Sequence, residues 1–209
     1  MIAADDLSRP AVVALRVLTR PRATLRRCAA LAEAPPWRRT FLRLTLPLLI
    51  ASVLVSQALY QVIPTGLPPE AMPDALGFGI YSAVTMAVGV LALALSAHLL
   101  TQLFQGFSDF DRSLLAATLG LVPAWVGNIA AAFPWPWGNG IALILIALSL
   151  VLLYHALVHL LGLRPGNRAG LFAATLFCGL FLTVVFGWLF IDWIPGAKPE
   201  VRLGTTWLI

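Results

Sequence analysis

Three histidines within apolar segments are the residues of this sequence best able to do chemistry. His155 and His159 are four residues apart and so share one face of a helix, while His98 lies in an earlier segment. Imidazoles at similar depth in a membrane can bind a divalent metal or relay protons. The alternative is that each histidine hydrogen-bonds a carbonyl, a hydroxyl or a lipid headgroup. We expect His98 to come near one of the other two, with no bound metal or cofactor.

The other polar residues of the apolar segments favour packing over catalysis. Asp192 stands at the outer end of the last segment, where an interfacial cap is the expected role. Asn128 and Gln57 are single amides suited to hydrogen bonds between helices. Pro123 predicts a kink in the third segment, a feature of transporter substrate sites that also serves plain packing. No phosphate-binding glycine loop, Cys-x-x-Cys pair or nucleophile–base motif is present in the sequence, so no enzymatic activity is predicted.

The last apolar segment carries a stripe of small residues. Thr175, Gly179, Thr183 and Gly187 recur at every fourth position and therefore lie along one face of a helix. Small side chains let two backbones approach closely and gain van der Waals contacts that lipid supplies less well. The stripe predicts a face that packs against another helix, of the same chain or of a partner.

Composition and hydropathy predict the elements that position these residues. Apolar residues make up 60% of the 209 positions and charged residues 11%, with a mean hydropathy of +0.89. In soluble domains about 45–50% of the residues are apolar and about 25% are charged. The values exclude a soluble enzyme, a disordered regulator and a secreted disulfide scaffold. Runs of about 20 apolar residues predict an all-α integral membrane protein with five transmembrane helices. The predicted spans are 44–63, 80–103, 114–133, 141–161 and 171–191.

Basic residues predict the orientation of these spans. With a cytoplasmic N-terminus, the segments on the inner side hold twelve arginines, whereas those outside hold only Lys198 and Arg202. This asymmetry satisfies the positive-inside rule and places the C-terminus outside. The predicted domains are a cytoplasmic arm over 1–40, a five-helix transmembrane domain over 41–194 and an external tail over 195–209.

The arm holds eight arginines and three acidic residues. Arg9, Arg16, Arg20 and Arg27 fall opposite Leu7, Leu18, Leu25 and Ala29 on a helical wheel, although Arg22 and Arg26 depart from this pattern. The pattern predicts an amphipathic helix in the inner headgroup region, broken at Pro21. The alternative is a mobile basic tail. The arm has one aromatic residue and no recognisable nucleic-acid motif, so anionic headgroups are the expected ligand and no nucleic acid is expected. The residues expected to contact headgroups are Arg16, Arg20, Arg27, Arg38 and Arg39.

Three segments and their order carry a resemblance to a known family. The segments are LTRPRATLRR at 18–27, FQGFSDFDRSLLAATLGLVPAW at 104–125 and LLGLRPGNRAGLFAA at 160–174. The sequence has a basic arm before the first span, a proline within the third and a short glycine–arginine turn before the fifth. In this order of features it resembles the bacterial branch of the Yip1 family. That resemblance implies a small five-span membrane fold. The acidic-aromatic arm motif of eukaryotic members is absent, so their GTPase-linked trafficking role is not implied.

These features favour a non-enzymatic protein of the bacterial inner membrane. We expect a structural, assembly or accessory subunit that packs against partner membrane proteins, copies of itself or lipids. The alternative is a small transporter or channel that uses His98, His155, His159 and the Pro123 break. An accessory subunit would co-purify with a larger complex, whereas a transporter would move solute when reconstituted alone.

Overall fold

The structure is a computed structural model that describes residues 9–31, 33–63, 74–104, 106, 109–134 and 136–197. Every regular element in these ranges is helical. Lys198, Arg202 and the predicted tail beyond residue 197 lie outside the described residues. The helices in chain order are α1 (Pro10–Thr19), α2 (Pro21–Ala29), α3 (Trp37–Thr40), α4 (Leu46–Val62), α5 (Ala75–Leu103), α6 (Phe110–Ala130), α7 (Trp137–Leu160) and α8 (Arg168–Ile191).

Five stretches of helix in the described ranges are long and apolar enough to cross a membrane. The first runs from Trp37 to Val62, because a π-helical turn at Phe41–Thr45 joins α3 to α4. The others are α5, α6, α7 and α8, the last of them extended by a 3-10 turn at Pro165–Asn167. Each corresponds to one predicted span but begins several residues earlier, since hydropathy detects only the apolar part of a helix. The predicted domain boundary at residue 41 therefore falls inside the first long helix.

The helix α6 occupies the centre of the bundle. It is the most buried of the five apolar helices and packs against α4, α5 and α7, most extensively against α7. The helix α5 in turn pairs with α8, which makes only limited contact with α7. The helix α8 therefore lies at the edge of the bundle and is held there mainly by α5.

Pro123 does not break α6, which continues as a helix on both sides of it. A proline lacks an N–H and so leaves the carbonyl four residues earlier, that of Leu119, without its helical donor. At the neighbouring position, the Ser149 hydroxyl of α7 donates a hydrogen bond to the carbonyl of Gly120. Pro123 is itself buried among packed side chains. The helix break that the transporter hypothesis uses is thus not found at Pro123.

One end of the bundle, here called the basic end, holds every arginine of the described residues. At this end the Trp37 N–H donates to the Asp111 carboxylate over 2.6 Å and fixes the start of α3 against the start of α6. The Asn167 amide donates to the carbonyl of Phe104 over 2.9 Å and joins the α7–α8 turn to the end of α5. The arginines are Arg9, Arg16, Arg20, Arg22, Arg26, Arg27, Arg38, Arg39, Arg43, Arg112, Arg164 and Arg168.

The arm helices α1 and α2 pack on this basic end. They meet at Pro21, where the sequence predicts a break, and the Thr24 hydroxyl donates to the carbonyl of Arg20 over 3.0 Å across the junction. Leu25 and Cys28 are buried in a core shared with α6 and α7. Burial raises the pKa of the Cys28 thiol to about 11, so this thiol stays protonated at neutral pH. The arm therefore directs apolar side chains into the bundle as well as arginines outwards.

Candidate functional site

The three histidines do not form one metal site. His155 and His159 stack on α7 with their ring centroids 6.2 Å apart. His98 instead meets the ring of Phe110 edge-on, with the centroids 5.9 Å apart. The helices that carry them, α5 and α7, make no extensive contact because α6 packs on both. Within the described part of the chain, no three histidine, cysteine or acidic side chains are grouped so that they could hold a metal.

A chain of hydrogen bonds joins α4 to α6 in the apolar interior. The Asn128 amide of α6 donates to the hydroxyls of Ser52 and Ser56, at 3.2 Å in each case. Ser52 in turn donates to the carbonyl of Trp125 at 2.8 Å. Buried polar groups are stable in an apolar medium only when they are paired in this way. The structure thus gives Asn128 the interhelical role that the sequence predicts.

The hydroxyls of Thr45 and Thr118 add a second polar contact between the same two regions. They lie 2.7 Å apart and both side chains are fully buried. Hydropathy and motifs do not identify these two threonines, nor Ser52 as a partner of Asn128. The spacing of the hydroxyl residues at 45, 52 and 56 could have identified a polar face, because these positions lie on one side of a helix. The partner helix could not be read from that spacing.

The small-residue stripe of α8 faces α5 across a narrow seam. A Cβ atom added at Gly179 would lie 2.8 Å from Leu93 Cγ and 3.2 Å from Leu93 Cα. The contact is reciprocal, since a Cβ at Gly89 of α5 would lie 3.2 Å from Thr183 Cγ2. At Gly187 the added atom would be 3.3 Å from side chains of α5. Glycines on both helices therefore set how closely the two backbones approach.

Threonine hydroxyls along this seam are partly used by their own helix. Thr183 donates to the carbonyl of Gly179 at 2.7 Å, one turn earlier in α8. The hydroxyls of Thr85 and Thr175 are buried and have no hydrogen-bond partner among the described residues. The seam is therefore joined mainly by close packing rather than by hydrogen bonds between the helices.

The family profile described as the Yip1 domain matches residues 15–189, from within α1 to near the end of α8. The chain belongs to the Yip1 family. Its family membership and its five long apolar helices make it a multi-pass transmembrane protein. No curated protein and no solved structure matches the chain.

In this Yip1 protein the five arginines predicted to contact headgroups all lie at the basic end. Four of them are exposed, namely Arg20, Arg27, Arg38 and Arg39, while Arg16 is half-buried. The Arg38 guanidinium lies 5.5 Å from the centre of the Trp37 ring, within cation–π range. Exposed arginines and an aromatic ring at the end of a membrane helix suit the headgroup layer of a bilayer.

Proposed function

We propose that this Yip1 protein is a non-enzymatic structural, assembly or accessory subunit that packs against partner membrane proteins, a second copy of itself or lipids. The observation that carries the proposal is the outward face of α8. This face lies opposite the seam with α5 and presents Phe177, Phe181, Val184 and Trp188, with exposed fractions of 73%, 60%, 68% and 70%. Their spacing of four, three and four residues is the spacing of knobs in helix–helix packing.

A helix held by one face and lined with large side chains on the other is suited to join a second assembly. Aromatic residues are enriched where proteins bind one another, because they bury a large area with few rotatable bonds. Lipid tails solvate apolar side chains equally well, so association has to come from shape fit and van der Waals contact. Bulky, regularly spaced side chains provide that fit for a grooved partner helix.

We expect alanine at Phe181 and Trp188 together to reduce co-purification of partner membrane proteins at least fivefold in mild detergent. The matched control replaces Leu143 and Ile144, which are equally exposed on α7, and should leave recovery unchanged. The measurement is quantitative mass spectrometry of proteins retained by a tagged chain, with monodispersity checked for each variant. Equal recovery from the α8 variant and the control would contradict the proposal.

The proposed location is the bacterial inner membrane, with the basic end in the cytoplasm against anionic headgroups and the C-terminus outside. The arginines gathered at one end of the bundle support this orientation, because basic loops are retained on the cytoplasmic side. The described charged residues at the opposite end are Asp74 and Asp192.

Reporter fusions test this orientation. A reporter fused after Ile209 should be active only if it functions outside the cytoplasm, and one placed before residue 9 only if it functions inside. The expected difference in reporter activity is nearly all-or-none, since each helix either crosses the membrane or does not. Cytoplasmic activity at the C-terminus would rule out an odd number of spans with the N-terminus inside.

A further inference from the structure

The outward face of α8 has the spacing of a helix that packs along another helix over much of the membrane. Phe177, Phe181, Val184 and Trp188 repeat at intervals of four, three and four residues, which is the a/d repeat of a left-handed coiled coil. At 1.5 Å per residue these positions span about 16 Å, over half of the roughly 30 Å hydrocarbon layer. The face therefore fits one long partner helix at a small crossing angle.

A second copy of the chain meets this requirement through symmetry. A two-fold axis normal to the membrane keeps every residue at its own depth, so Phe181 meets Phe181 of the second copy and Trp188 meets Trp188. The rings can then interleave as knobs and holes in offset or edge-on contact. Residues 171–191 carry no charged side chain, so the contact brings no like charges together within the membrane. The face is thus complementary to itself.

The exposed area of the face is sufficient for a stable dimer. The helix α8 is the least buried of the five apolar helices. Aromatic side chains bury about 150–250 Å² each, so Phe177, Phe181 and Trp188, exposed by 73%, 60% and 70%, offer about 400 Å² per copy. With Leu180 and Val184, exposed by 53% and 68%, the face reaches about 600 Å². Stable interfaces bury about 600–1,000 Å² per partner, so this face alone reaches the lower end of that range.

The seam with α5 holds the face in one orientation. Gly179 packs closely on Leu93, and Thr183 packs on Gly89, which fixes the rotation of α8 about its own axis. The aromatic side chains therefore point away from the bundle before any partner binds. A surface arranged in advance loses less conformational entropy on association.

We propose that two copies of the chain associate through the outward face of α8, about a two-fold axis normal to the membrane. This dimer rests on the proposed function and names a second copy as the partner of the same face. Because the axis is normal to the membrane, the basic ends of both copies lie on the same side. A different membrane protein and lipid alone are the other possible occupants, and the experiments below distinguish them.

Energy transfer between labelled copies tests the dimer in vesicles of phosphatidylglycerol and phosphatidylcholine that contain only the purified full chain. Donor and acceptor labels are attached before residue 9, and dilution with lipid gives the dissociation constant. One aromatic pair contributes roughly a factor of two to ten. Phe181→Ala with Trp188→Ala should therefore weaken the dimer about tenfold. The control, Leu143→Ala with Ile144→Ala on α7, should change the constant less than twofold.

A disulfide cross-link locates the contact independently of these truncations. Val184→Cys, in a chain that also carries Cys178→Ala, should form mostly covalent dimers on oxidation in the same vesicles. A disulfide needs two Cα atoms within about 7 Å, a separation reached at the seam of a parallel helix pair. Leu143→Cys in the same background is the matched control, and Cys178→Ala alone reports any cross-linking through the buried Cys28. Both should remain monomeric on a denaturing gel.

The outcomes separate the dimer from the wider proposal of a partner-binding face. A monomer in vesicles, from a chain whose α8 face still retains other membrane proteins in detergent, would overturn the dimer and leave the proposed function intact. Neither energy transfer nor retained proteins would overturn both and leave lipid on the face. Energy transfer that the α8 variant does not reduce, or equal cross-linking from Leu143→Cys, would place the contact elsewhere and overturn the dimer through α8.

Discussion

Replacing Gly179 by leucine should separate α8 from α5 and lower the stability of the whole bundle. Even the Cβ of the new side chain would lie 2.8 Å from Leu93 Cγ and 3.2 Å from Leu93 Cα, which is backbone and cannot rotate away. Overpacking in a well-packed interior typically costs about 1–3 kcal/mol and occasionally more. We expect the upper end of that range, because α8 has no other extensive interface in the described chain.

The midpoint of thermal unfolding in detergent measures this effect, with size-exclusion chromatography as a second readout. At roughly 2–4 °C per kcal/mol for a chain of this size, the midpoint should fall by about 10 °C. The matched control is Gly140→Leu, because no atom lies within 4 Å of a Cβ added at Gly140. If Gly179→Leu behaved like this control, the stripe would not be a packing face.

Replacing Gly120 by alanine should destabilise the junction of α6 and α7, although alanine is the better helix former. The new methyl group would lie 2.7 Å from Leu153 Cα and 2.9 Å from Leu153 Cβ, so α7 would have to shift. The same shift would stretch the hydrogen bond from Ser149 to the Gly120 carbonyl. Helix propensity favours alanine by about 1 kcal/mol, and overpacking opposes it by about 1–3 kcal/mol. The net loss should therefore be up to about 2 kcal/mol.

Helix propensity and packing change the free energy of unfolding in opposite directions at Gly120, so the sign of the measured change shows which effect is larger. Gly140→Ala, at an open position of α7, should be neutral or slightly stabilising in the same unfolding measurement. A stabilising Gly120→Ala would mean that α6 and α7 are less tightly packed than the structure shows.

Composition and local residue patterns were sufficient to predict the class of the protein, its apolar segments and its family. Water-to-lipid transfer depends on composition and on the length of an apolar run, both of which are local properties. The break at Pro21 was predictable for the same reason, since the restriction that proline imposes is local. Helix starts were less accurate, because polar and basic residues continue a helix beyond the apolar core, as at Trp37.

Local patterns could not predict which helices are neighbours, and therefore which side chains meet, because this depends on how the whole bundle packs. The sequence predicts that His155 and His159 share one face of a helix. The position of His98 relative to them depends on the packing of α6 against both α5 and α7. The hydroxyls of Ser52 and Ser56 were visible as one face, while their partner Asn128 lies more than 70 positions away. Periodicity specifies a face of a helix, whereas the opposing surface depends on close packing of the whole bundle.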